Sequence, residues 1–544
     1  MKKSNVYKII LCLTIILFIP WFNNVYYLGH DSYIHIANVL AYSNTINFPH
    51  LLGSFVYPYV GKNLGYGTGI FYPLLPDLIP AYLYKITSIF GFNVLFDFKI
   101  YYFLIVLISG FGMYKLEMYI HHKKSIALIS SALYIYMPYF ISDIFVRDST
   151  AEALIFAVLP FIYLSIMRLF DGDHKAIFMF IISYVIGMNS HLVMMIYVTI
   201  FVIIYLLFNF KKTIKNLKYF IFAGIFILLI CSPYIIRMLE YKSLDYVVFN
   251  DGMMSSAQSV HDNFVNFWEY VIPISRSNGI SFFGNEVGVL LFIITLYMLF
   301  KHKIILDYED EKLFKYVGFC LILLVFIMSI IMPWAYVPKF LLNIQFPWRL
   351  ITIFDFLALL IAPTCLRNVK QENIKKTIEV LLILTIFFGY TAIKYGSTDS
   401  VDLDNIYLND KLAMGWQTEY LPMNTYNNID YYDKRTEDIL TSSTSEIKIL
   451  NNDTPNMSFT MNISGTNSIE LPRFYYLGYV IKDDNNNVYN YYEDEYGFIS
   501  FDSDYSGTYY VTYEGTKLEK MMEVISIISI ISIIIIYKKS EHKK

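Results

Sequence analysis

Charge is what this chain has least of. Asp, Glu, Lys and Arg make up 16% of its 544 residues, where a soluble domain carries roughly a quarter. Hydrophobic residues reach 56% and aromatics 18%, and the apolar ones come in blocks such as 9–18, 220–231 and 319–331. With its flanks, each block approaches the ~20 residues that cross a hydrocarbon core. Lipid is therefore the solvent for most of the chain. Cysteine is scarce too: Cys12, Cys231, Cys320 and Cys365 all fall in or beside apolar blocks. That excludes disulfide stapling of any large polar segment and leaves no zinc spacing. Phosphate-loop, serine-hydrolase and zinc-protease motifs are also missing, which removes the usual support for nucleotide-driven transport and for those hydrolases.

The little charge present is unevenly divided. Residues 396–520 hold 21 acids against 8 bases, while the whole chain nets −3. An acidic, Asn- and Tyr-rich segment is thus joined to a basic membrane body. Basic residues gather only at loop ends, so nucleic acid is excluded as a partner. The first apolar run follows Lys2, Lys3 and Lys8 and lacks a small-residue cleavage exit; it reads as an uncleaved signal anchor.

Lysine and arginine set the topology. Clusters at 2–8, 123–124, 168–175, 211–218, 301–315, 367–376 and 538–544 are all cytoplasmic if each adjacent pair is separated by an even number of crossings. Three apolar candidates lie between the first two clusters, so one does not cross. Residues 72–90, with Pro73, Pro76, Asp77 and Pro80, are the poorest span and are expected to lie along the outer interface. Twelve spans remain, near 6–22, 98–119, 125–141, 150–169, 176–190, 192–210, 219–237, 285–300, 314–332, 350–366, 377–394 and 521–537. Both termini are then cytoplasmic in a multi-pass plasma-membrane protein. The expected organisation is a helical domain over 1–395 with a first exterior loop at 23–97, an exterior β-rich, sandwich-like domain over 396–520, and a final span with a basic tail over 521–544. The β reading rests on runs such as 498–505 and 507–513, which cluster β-formers around a Ser-Gly turn.

Charges near the outer face need a reason, because half-burying them costs several kcal/mol. In Gly29-His30-Asp31-Ser32-Tyr33-Ile34-His35, a helix starting near Asp31 puts His35 one turn along on the same face, so both point at one metal or hydroxyl. The blander alternative is an Asp N-cap with a surface histidine. In Arg147-Asp148-Ser149-Thr150-Ala151-Glu152, two carboxylates four apart beside a guanidinium suit a divalent cation and a phosphate. There the alternative is acids favoured by a helix dipole, which Glu152, already inside an apolar run, makes less apt. His191 alone is more often an interfacial histidine than a ligand. Arg349, in Gln345-Phe-Pro-Trp-Arg, snorkels by default or holds the phosphate of a lipid-linked substrate.

This arrangement resembles the GT-C superfamily of membrane glycosyltransferases, and more closely the bacterial YfhO-type and "6-pyruvoyl-tetrahydropterin synthase-related" membrane proteins. The segments that carry the likeness are His30-Asp31 to His35, Arg147-Asp148 to Glu152, Phe346-Pro-Trp-Arg349, Glu419-Tyr-Leu-Pro422 and Leu471-Pro-Arg-Phe-Tyr-Tyr-Leu-Gly478. Nothing in the residues supports the pterin part of that label. The resemblance implies sugar transfer from a polyprenyl-phosphate donor to an envelope glycan, lipid or polymer. Asp31 would be the general base, while Asp148 and Glu152, with His35 or His191, would orient it or hold Mg or Mn. Arg147 and Arg349 would offset the charge of the leaving phosphate. The rivals are a carrier for lipid-linked saccharides and a glycan-binding protein without catalysis.

Overall fold

The computed structural model describes residues 3–22, 25–47, 51–58, 61–249, 257–265, 286–301, 306–366, 400–402, 418–442 and 446–541, with isolated helical positions at 380, 383 and 387. Apolar runs fold as helices because lipid offers backbone N–H and C=O groups no partner but one another. The main helices are α1 (Lys3–Leu17), α2 (Ser32–Thr45), α3 (Leu75–Thr87), α4 (Val94–His121), α5 (Lys124–Ile135), α6 (Pro138–Phe145), α7 (Thr150–Phe170), α8 (Ala176–Met188), α9 (Leu192–Phe208), α10 (Leu217–Tyr241), α11 (Glu286–Lys301), α12 (Tyr308–Met328), α13 (Ile351–Ile361) and α14 (Lys517–Glu541).

Helices stand at eleven of the twelve expected span positions; the span expected at 377–394 lies outside the described residues, apart from those isolated positions. Among the described residues, five helices are long and apolar enough to cross a membrane, or six if a bent pair counts as one. The pair is α5 and α6, so the straight span expected at 125–141 is broken by a 43° bend. Pro138 opens α6 and Met137 before it is extended, as a residue preceding proline must be. The helix expected within 72–90 forms as α3, followed by a 3-10 turn at Ser88–Phe90. Its 13 residues are too few to cross. Pro76 falls in its first turn, where a missing N–H costs nothing.

The acidic segment folds as two antiparallel sheets. One runs β3 (Leu440–Thr441), β6 (Asn467–Phe474), β10 (Phe498–Ser503), β9 (Tyr491–Glu493). The other runs β4 (Glu446–Asn451), β5 (Met457–Asn462), β11 (Gly507–Tyr513), β7 (Tyr479–Asp483), β8 (Val488–Tyr489). Alternation is clean in β5 and β7, whose burial alternates residue by residue. Phe501 of β10 meets Tyr489 and Tyr509 of the other sheet at 5.6 Å between ring centroids. A short pair, β1 (Val25–Tyr27) with β2 (Ser400–Asp402), ties the first loop to the start of this segment.

Aromatic rings dock the β module on the helical body. Phe71 stacks on Tyr420 at 5.3 Å and Tyr246 on Tyr476 at 5.7 Å, while the Tyr66 and Tyr476 hydroxyls bond the backbone of Tyr420. Below them Arg237 of α10, 1% exposed, pairs with Glu519 of α14 at 2.6 Å and lies 3.8 Å over the Phe55 ring. The candidate site therefore has walls from the first loop, the helices and the C-terminal module.

Candidate functional site

Two loops far apart in sequence are held together through their backbones. The His30 N–H donates to the Val146 carbonyl (3.2 Å) and the Asp31 N–H to the Arg147 carbonyl (2.9 Å). Gly29 makes this possible: a Cβ there would lie 2.7 Å from backbone atoms of Arg147 and Asp148. Asp31 and Asp148 are thus brought to one place, as the shared face of their loops led one to expect.

Their surroundings differ. Asp148 is 2% exposed and left-handed at φ +56°. It accepts from the Tyr26 hydroxyl (2.6 Å), from the Ser32 hydroxyl and from the Gly29 N–H (3.4 Å). Burial raises its carboxyl to about 6, against the lowering influence of the Ser32 and Tyr26 hydrogen bonds. It fastens β1 and the start of α2 to the turn before α7, and offers a substrate no open oxygen. The catalytic role expected for it is corrected to a positioning one, because it is 2% exposed and both its oxygens already accept hydrogen bonds inside the protein.

Asp31 takes the N-cap position of α2 but its side chain makes no capping hydrogen bond. It is half-buried and, among the described residues, its carboxylate has no hydrogen-bond or ion-pair partner. The capping alternative therefore falls.

His35 does not converge with Asp31 either. Its Nδ1 lies 2.7 Å from Asp77 of α3, which also accepts from Asn38 Nδ2 at 2.7 Å, and Thr150 Oγ1 sits 3.1 Å away. Burial disfavours the charged imidazole, but Asp77, with help from Asp31 and Asp148, outweighs it and raises the His35 pKa. Asp77 was expected to be a mark of an interfacial helix; it is instead the buried tie between α2 and α3.

Beneath the turn lies a closed charge cluster. Arg147 pairs with Asp143 and, at 2.8 Å, with Glu152, and its guanidinium lies 4.5 Å from the Trp348 ring centroid. Glu152 also accepts from Tyr139 (2.6 Å) and Thr352 (3.1 Å). Neither Arg147 nor Glu152 reaches outward, so the phosphate-binding and catalytic roles expected for them give way to structural ones. Asp143 went unnoticed in the sequence, although its i,i+4 spacing to Arg147 was a usable signal.

Among the described residues at this mouth, Arg349 keeps donor capacity. Its Nη1 donates to the Ile344 carbonyl and to Gln345, both at 3.0 Å. Its Nε stands 3.9 Å from Glu152 and has no hydrogen-bond partner. His191, the N-cap of α9, accepts from the Met194 N–H at 3.3 Å. Burial first, and Arg349 second, lower it to about 3, which keeps the imidazole neutral beside two guanidiniums. A further acid emerges at the mouth. Glu419 feels Arg349 and Asp31, and protein crowding around its accessible carboxyl raises its pKa; the Tyr72 phenol lies within reach of both as well. Glu419 was marked only as part of a resemblance motif, since nothing in spacing could bring a residue of the acidic segment to the first loop.

The expected Mg or Mn finds no ligand set here. Among the described residues no group of three or more His, Cys, Asp or Glu is placed to share an ion, and Asp148, Glu152 and His35 are each engaged by protein partners.

Helical body, β module and a mouth where Asp31, Glu419 and Arg349 lie near one another define a polytopic membrane protein with a polar site at one end of its bundle. The chain belongs to the family of membrane proteins with a 6-pyruvoyl-tetrahydropterin synthase related domain, whose family model matches residues 70–397, more than half of the chain. No curated protein matches it significantly. Two cryo-EM structures of the arabinofuranosyltransferase AftD from mycobacteria, one of them of a mutant, overlap it at TM-scores of 0.47 and 0.46 with 10% identity. They cover 74% and 76% of this chain, which spans only 28% and 29% of theirs.

Proposed function

We propose that this protein is an integral-membrane glycosyltransferase that moves a sugar from a polyprenyl-phosphate donor to a cell-envelope glycan, lipid or polymer at the extracytoplasmic face. The observation that carries the reading is the Asp31 carboxylate, fixed by backbone hydrogen bonds and without a partner among the described residues, within electrostatic reach of Tyr72 and Glu419, both of which also feel Arg349. A carboxylate held without an internal partner is available to a substrate hydroxyl. The acceptor oxygen attacks the anomeric carbon as Asp31 takes its proton. The bond from that carbon to the donor phosphate oxygen breaks, and polyprenyl phosphate leaves with inversion. Arg349, partly exposed and anchored by Ile344 and Gln345, offsets the charge that develops on the phosphate. Arg147, Glu152 and Asp148 hold the two loops that carry this geometry, and His191 stays a neutral neighbour. The β module, read as a sandwich, positions the acceptor.

The test is Asp31→Asn, read as sugar incorporation into wall polymers and glycolipids by mass spectrometry. Loss of roughly 10²–10⁴-fold in transfer rate, with normal membrane levels, is expected. Unchanged incorporation overturns the reading in favour of a carrier or a glycan-binding protein.

A further inference from the structure

A second cavity lies away from the Asp31 mouth, on the flank of the bundle. It holds about 1030 Å³ between α4, α7, α8 and the terminal helix α14. Ile108, Leu154, Val158, Ile182 and Ile533 represent its apolar walls. It extends from Leu75 and Ile79 of α3 to Arg168, Lys175 and Lys538 at the lysine-rich ends of the helices. The cavity exists because α14 leans on α10 and meets α8 at its far end, where Phe178 and Tyr537 touch edge to face at 5.2 Å, leaving a cleft against α7.

Charge at the lysine-rich end is not balanced. Asp173 is taken by Arg168 at 2.5 Å. Lys175 on one side of the cleft and Lys538 on the other have no hydrogen-bond or ion-pair partner for their ammonium groups among the described residues. Apolar walls capped by two unmatched cations fit a molecule with a hydrocarbon chain and an anionic head. The head must lie at the end opposite Asp31, so the occupant is distinct from a donor whose phosphate has to reach Arg349. We propose that the cleft binds one anionic phospholipid of the lysine-side leaflet, its chain between α7 and α14 and its phosphate between Lys175 and Lys538. Chain burial alone gives no preference, because bulk lipid is equally apolar; selectivity comes from the two lysines. The bound lipid fills the gap that the helix carrying Glu519 leaves in the bundle.

Native mass spectrometry of the purified full-length protein, titrated with phosphatidylglycerol or phosphatidylcholine, tests this. One phosphatidylglycerol per chain is expected, with phosphatidylcholine retained at least tenfold less. Each lysine contributes about fivefold, so Lys175→Gln with Lys538→Gln reduces retention about 25-fold. Ile182→Trp fills the cleft from a position 55% exposed, without altering charge or core, and also expels the lipid. Equal retention of the two lipids, or undiminished phosphatidylglycerol in either variant, overturns the proposal.

Discussion

Two charged regions sit side by side on the loop face, and they are built on opposite terms. In the closed region, Arg147 is matched by Asp143 and Glu152, and Asp148 by Tyr26, Ser32 and Gly29. In the open region, among the described residues, Asp31 has no side-chain partner and Arg349 keeps an unmatched Nε. Matched charges in a low-dielectric interior rigidify, while a half-buried carboxylate without an internal partner is available to a ligand. The lesson is that carboxylates close in space can have different work, and that partner count separates them better than proximity does.

The largest expected effect breaks the closed region. Arg147→Met leaves Asp143 and Glu152 buried without their cation, and a loss of about 3–5 kcal/mol is expected. Thermal unfolding in detergent measures it, and a melting point near that of the parent would show that the cluster is not a brace.

Next comes pH. The Asp148 carboxyl holds its proton up to about pH 6 in the fold but only to about pH 3.9 when unfolded. Between those values the folded form binds the extra proton, so stability is greatest at the acid end and falls as pH rises to 6. The loss is roughly 3 kcal/mol. Melting curves at pH 4 and 7 should reveal it, and Asp148→Asn should flatten the difference; an equal slope in the variant argues against Asp148 as its source.

Gly29→Ala attacks the joint between the regions. The new methyl would press on backbone at 2.7 Å, and overpacking of about 1–3 kcal/mol follows. Amide exchange at His30 and Asp31 should accelerate; unaltered protection would mean that the loops do not depend on this contact.

The smallest stability effect sharpens the comparison. Asp31→Asn removes no side-chain partner among the described residues and should move stability by less than about 0.5 kcal/mol, although it is expected to cost the most activity. A drop of several kcal/mol would place Asp31 with the closed region.

Much of this was legible in the sequence. Blocks of apolar residues and the lysine pattern led to helices at positions 98–119, 150–169 and 219–237, now seen as α4, α7 and α10. β-formers around a Ser-Gly turn led to β10 and β11. That Asp31 and Asp148 share a face followed from counting crossings. What spacing did not reveal was partner choice. His35 sits one turn after Asp31, yet chooses Asp77, 42 residues away. Glu152 shares a helix face with nothing reactive, because Arg147 and Tyr139 reach it first. Glu419 arrives at the mouth only because Tyr66 and Tyr476 grip the backbone of Tyr420.

By itself, then, the sequence determined the solvent, the helix-forming runs and the end of the bundle at which acids gather, since hydropathy and loop charge are local sums along the chain. Only the tertiary structure decided which acid stays open. Hydrogen-bond saturation depends on groups brought from far along the chain, and no local spacing encodes whether a carboxylate's oxygens are already taken.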